Sequence, residues 1–177
     1  MLSKDPSYPV FTLLVFISFW VTLLPLTWLT YCQRNATILV YIFWLALSCL
    51  NHFINSVIWH DSLLNIAPVW CDISSRLYVG ASLGIPVSIM CMVHRIYLIL
   101  THKWIRVNTR KAMYEDLGLG IGLPILQMIV QCSVAEARFA IYEGLGCFNT
   151  TSRQWPAYFV VQSWQTAIAI ASSIYGG

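Results

Sequence analysis

Charge is scarce in this chain. Across 177 residues, Asp, Glu, Lys and Arg make up 10%, against roughly 25% in average proteins. A soluble domain scatters charges along every helix, because each helix shows one face to water. Internal repeats, low-complexity runs and long linkers are missing too, so nothing divides the chain into domains. There is no Gly-rich phosphate loop, no convincing Ser/His/Asp arrangement and no pair of acids inside an apolar stretch. The first two absences weigh against an enzyme. The third weighs against a proton-driven pump, which needs buried carboxylates. Nothing in the sequence asks for a cofactor or for nucleic acid as a partner.

What is present is apolar: hydrophobic types reach 58%. The ten basic and seven acidic residues leave five long charge-free gaps, at 6–33, 35–60, 77–94, 117–135 and 154–177. Together the gaps hold 115 of the 177 residues, and the shortest has 18. A helix needs about 20 apolar residues to cross the hydrocarbon core of a bilayer. The fold class expected is therefore all-α, a polytopic transmembrane bundle in one domain, with spans near 8–31, 37–60, 72–98, 116–135 and 156–175. The first gap is not read as a secretory signal. Lys4 is offset by Asp5, the apolar part is too long, and no small-x-small cleavage site follows.

Cytoplasmic loops are enriched in Lys and Arg. Arg34 lies between spans one and two, and Arg95, Lys103, Arg106, Arg110 and Lys111 lie at or after the end of span three. Placing both loops inside puts the N-terminus outside. The longest loop, 136–155, is then outside as well. It carries the sequon Asn149-Thr150-Thr151, a glycosylation acceptor, whereas Asn35-Ala36-Thr37 falls in a short inner loop and should be silent.

Among the six cysteines, Cys71 and Cys147 alone fall on the side expected to be oxidising. A bridge between them would tie the long outer loop to the top of span three; two free thiols are the other reading. Cys91 and His94 have helical spacing but lack further ligands, so no metal site is expected. Asn51 and Asn55 share one helix face, which must point into the bundle because an uncovered amide in hydrocarbon is costly. That face serves either interhelical hydrogen bonding or a polar switch. Asp72 reads as the acid at the start of span three, with Arg76 four residues on as its partner or as a cation reaching into the bundle top. His94, Arg95, His102, Lys103 and Trp104 form either an anchor at anionic headgroups or a docking surface for a cytosolic partner. Pro25, Pro86 and Pro124 interrupt three spans. Gly80 with Gly84, and Gly118 with Gly122, form small-xxx-small faces of the kind that let helices approach. Gln127 and Gln131 add a polar face to span four.

Longer stretches carry a family resemblance. LSCLNHFINSVIWH (47–60), APVWCDI (67–73) and VGAS (79–82) resemble helices two and three of fungal mating-pheromone receptors of the a-factor, lipopeptide, type. DLGLGIGLPILQM (116–128) is similar to helix four of that family, RF (138–139) with EGLGC (143–147) to its second outer loop, and YPVF (8–11) with LPL (24–26) to helix one. The resemblance implies a seven-helix, G-protein-coupled receptor in the lipid of the plasma membrane. Its ligand would be a short peptide pheromone carrying a farnesyl group and a methylated C-terminus, and its cytosolic partner a heterotrimeric G protein. On that implication Asn51, Asn55, His60 and Arg76 are ligand or switch residues, and Arg95, Lys103 and Arg106 face the G protein. The chain departs from the family in having five spans where seven and a cytosolic tail are expected, and in the Val93-His94-Arg95 sequence. It reads as a partial receptor sequence, with a truncated, non-signalling product as the alternative. A small transporter or channel component is the rival from another class; it would call for a span-to-span repeat or buried carboxylates.

Overall fold

The computed structural model describes residues 9–29, 36–59, 67–101, 109–134, 140–142, 146–148 and 155–176. In chain order the elements are α1 (Val10–Leu29), α2 (Ala36–Ile58), α3 (Pro68–Leu100), α4 (Thr109–Val134), β1 (Ala140–Tyr142), β2 (Gly146–Phe148) and α5 (Trp155–Gly176). Four of the helices contain stretches long and apolar enough to cross a bilayer: Val10–Thr27, Ala36–Ile58, Pro68–Leu100 and Met113–Ser133. In α5, which has 22 residues, the apolar stretch Gln165–Ile174 is shorter. The protein is an all-α, multi-pass membrane bundle, and a small hairpin caps one of its ends.

Two of these helices, α3 and α4, overrun their charge-free gaps. At 33 residues, α3 is about 50 Å long at 1.5 Å per residue, well beyond a hydrocarbon core of about 30 Å. Proline opens it at the first helical position, where a missing N–H costs nothing. Asp72 consequently sits in the second turn and not at the helix start, and the first turn holds no acid. Similarly, α4 begins at Thr109 rather than near Asp116. In the added stretch Lys111, Tyr114 and Glu115 are exposed, with Lys111 Nζ 3.8 Å from Glu115 Oε1.

Helix α3 is central: it meets α2, α4, α5 and β2, whereas α1 meets only α2 among the described residues. Trp44 of α2 organises the middle of the bundle and is 3% exposed. Its indole lies in a notch made by two glycines of α3. A Cβ on Gly84 would stand 2.6 Å from the ring, and one on Gly80 3.0 Å from it. The first glycine pair therefore receives a side chain from a neighbouring helix. The second pair is different: among the described residues, nothing stands within 4 Å of where a Cβ on Gly118 or Gly122 would lie. The buried stripe of α4 is instead Asp116, Gly120, Pro124, Gln127 and Gln131, one residue per turn on a single face. Trp44 Nε1 donates to the Gly120 carbonyl oxygen at 2.8 Å.

Two contacts pin α1 to α2 near the hairpin end. The hydroxyl oxygens of Thr12 and Ser56 are 2.5 Å apart, and the Phe16 and Phe53 rings are 5.2 Å apart. Further along, the two helices line an apolar crevice of about 380 Å³ that includes Leu23, Leu26, Leu39, Phe43 and Leu47.

Candidate functional site

The polar face of α2 builds the hairpin end. Asn51 and Asn55, 3% and 2% exposed, both turn toward α3. Asn55 uses both ends of its amide: Nδ2 donates to Ser74 Oγ at 2.7 Å, and Oδ1 accepts from Trp70 Nε1 at 2.8 Å. Asn51 Nδ2 donates to the Ser74 carbonyl at 3.3 Å. Three polar contacts thus join α2 to the first turns of α3, each between groups that would be costly to bury alone. Asn51 Oδ1 and His52 Nδ1 are buried with no hydrogen-bond partner among the described residues.

Strands β1 and β2 pair antiparallel, with Ala140 opposite Phe148, Ile141 opposite Cys147 and Tyr142 opposite Gly146. Such a hairpin is marginal by itself, and here it is anchored three times. Cys147 is disulfide-bonded to Cys71 in the first turn of α3, with Cα atoms 5.2 Å apart. Gly146 rests on Asn55, so closely that a Cβ there would lie 2.5 Å from Asn55 Cβ; its φ of +84° is a backbone region that favours glycine. The Phe148 ring meets Tyr78 of α3 at 4.8 Å, and Tyr78 meets His52 of α2 edge-on at 6.1 Å. Trp59, fully buried, joins the two bonded cysteines in one apolar cluster.

Arg76 lies elsewhere. It is exposed, and its guanidinium contacts Cys132 Sγ on α4, so the structure does not bring it to the asparagines. His60, Lys103, Arg106 and Asn149 lie outside the described residues.

At the opposite end a second polar cluster joins three helices. Asp116 of α4 accepts from Thr37 Oγ1 of α2 at 2.5 Å and forms an ion pair with Arg95 Nε of α3. The Arg95 and Asp116 side chains are only 13% and 10% exposed. Arg95 therefore spends most of its guanidinium on the bundle, leaving little surface for a partner to touch. Sequence reasoning treated Asp116 as the edge of a span and passed over Thr37 and Trp44. One signal was available: opposite charges at the ends of consecutive spans that must lie on the same side of the membrane. Among the described residues, no group of three His, Cys, Asp or Glu could hold a metal ion.

A bundle of membrane helices with a disulfide-tied hairpin across one mouth and an ion pair across the other defines a multi-pass membrane protein with two differently built ends. The chain belongs to the pheromone A receptor (STE3) family, whose profile matches residues 10–177. It is 38% identical over 171 residues to the "Pheromone B alpha 2 receptor" of Schizophyllum commune, a match covering 97% of this chain and 26% of that protein. The "Pheromone B alpha 1 receptor" of the same organism is 36% identical over 175 residues, covering 97% of this chain and 27% of that one. The "Pheromone a factor receptor" of Saccharomyces cerevisiae is 23% identical over 156 residues, covering 85% and 33%. The chain thus spans little more than a quarter of the length of the Schizophyllum receptors. No solved structure matches it.

Proposed function

We propose that this chain is the ligand-receiving part of a mating-pheromone receptor that binds a lipidated peptide and acts through a heterotrimeric G protein at the plasma membrane. The family match along residues 10–177 carries this reading. The hairpin end supports it chemically: Asn51 and Asn55 provide polar groups, and Trp70, Tyr78 and Phe148 provide partly exposed aromatic surface, a combination that suits an apolar ligand with a few polar groups. In this reading Asn51, Asn55, His60 and Arg76 contribute to ligand binding or switching. At the other end, Lys103 and Arg106 offer the basic surface to the G protein, and Arg95 holds the helices that present it.

The test is to express the gene that encodes this chain in cells with a G-protein reporter, and to apply synthetic peptides with and without a farnesyl group. Nucleotide exchange that depends on the farnesyl group is expected. Equal responses to both forms would refute the lipid requirement, and a pheromone response that persists without any Gα subunit would refute the coupling.

The same reading places the N-terminus and the hairpin outside the cell. Asn149 should then carry an N-glycan, seen as an endoglycosidase-sensitive mobility shift that Asn149→Gln abolishes. A glycan on Asn35 in its place would reverse the orientation.

A further inference from the structure

Proline at position 124 has no N–H to offer, so the carbonyl four residues earlier, that of Gly120, loses its helical partner. Pro124 is fully buried, and an orphaned carbonyl in a buried, apolar setting is costly. In this protein the missing donor comes from another helix: Trp44 Nε1 donates to that oxygen at 2.8 Å. Two further details make the contact possible. Gly120 has no side chain, and the space its Cβ would need is taken by Val40, 2.8 Å away. The Trp44 ring itself is set by the notch at Gly80 and Gly84.

The proline also divides α4. On one side lie Gln127 and Gln131, on the side of the hairpin. On the other lies a segment, residues 109–123, that ends in the exposed turns around Lys111 and Glu115. Among the described residues, that segment's polar contacts to other helices lie on one face: Asp116 with Thr37 and Arg95, and Gly120 with Trp44. Prolines are the usual sites of sharp bending in helices.

We propose that residues 109–123 of α4 form an arm hinged at Pro124 and latched to α2 by Trp44, through the carbonyl that the proline releases. When the latch opens, the Gly120 oxygen and the indole N–H part together, the Asp116–Thr37 contact breaks with them, and the arm swings from α2 while its ion pair to Arg95 and the rest of α4 stay against α3. The device is independent of which ligand the protein binds.

The proposal is tested by coupling positions 44 and 124 in the full chain, reconstituted in lipid nanodiscs. Nitroxides attached through keto amino acids at the exposed positions Leu39 and Tyr114 report the distance from α2 to the arm. Trp44→Phe keeps a ring in the glycine notch and removes the N–H. It is expected to raise the population of a longer distance by about threefold to tenfold, the range expected for one net hydrogen bond. In a Pro124→Ala background the new backbone N–H can donate to the Gly120 carbonyl itself, and the same substitution at Trp44 should then change the ratio by less than about twofold. Equal changes in both backgrounds would mean that Trp44 acts only by packing, and no change in either would mean that there is no latch; both outcomes overturn the proposal. Should Pro124→Ala fail to fold, Gly84→Ala provides the second arm. Its Cβ displaces the indole while leaving Pro124 intact, so the longer distance is expected, and an unaltered distance distribution would overturn the proposal.

Discussion

Replacing Asp116 with Ala is expected to destabilise the bundle by about 3–5 kcal/mol, the loss typical of removing one partner from a buried ion pair. The carboxylate serves α3 through Arg95 and α2 through Thr37, so its removal takes the counter-charge from an arginine that is mostly buried and the acceptor from a threonine hydroxyl. Attraction between the two charges has to offset the desolvation of both, and taking away one charge leaves the cost without the compensation. Asp116→Asn should fall between wild type and Asp116→Ala, since the amide oxygen still accepts from Thr37. Changing both partners to apolar side chains, Arg95→Met with Asp116→Leu, should recover most of the loss. Unfolding midpoints of the four proteins in the same detergent provide the comparison. If the double variant is as unstable as Asp116→Ala, the ion pair is not the reason the helices need these residues.

The second large effect is expected at the hairpin. Cys147→Ser removes the covalent tie to α3 across a sequence separation of 76 residues and should cost about 2–4 kcal/mol. Cys71→Ser should cost the same, and the two together no more than either alone, because both delete one bond. A reductant should lower the unfolding midpoint of the wild type and leave that of Cys147→Ser unchanged. Gly146→Ala weakens the same unit by another route. It places a methyl group against Asn55 and asks alanine to adopt a φ of +84°. The hairpin is then pushed off the amide that ties Trp70 and Ser74 together. A midpoint insensitive to reductant in the wild type would overturn the account of the bridge.

The fold was legible where chemistry is local. Charge-free gaps forecast the helices because hydrocarbon excludes ions over the length of a span. Asn51 and Asn55 could be assigned to an inward face because two residues four apart must point the same way. The ends of the helices were less legible: α4 continues into polar sequence that hydropathy assigns to a loop, and α3 starts early at Pro68, which is how Asp72 ended up a turn inside its helix. Small-residue spacing misled at Gly118 and Gly122, since spacing finds pairs of glycines but the buried face was fixed by Asp116, Gly120 and Pro124. The Trp44 contact could hardly have been found. Its acceptor is a backbone oxygen made available by a proline four residues later, on a helix 76 positions away in sequence, and no side-chain pattern marks such a group.

The bridge between Cys71 and Cys147 also sets an order of events during synthesis. Cys147 is made 76 residues after Cys71, about 4–15 s later at ~5–20 residues per second. Throughout that interval the first turn of α3 carries a thiol with no partner to oxidise against. The third and fourth helices must both be threaded through the membrane before the second cysteine reaches the same side. Closure of the hairpin is therefore a late step that certifies the paired insertion of α3 and α4, and a chain that misthreads α4 leaves Cys147 on the opposite side from Cys71.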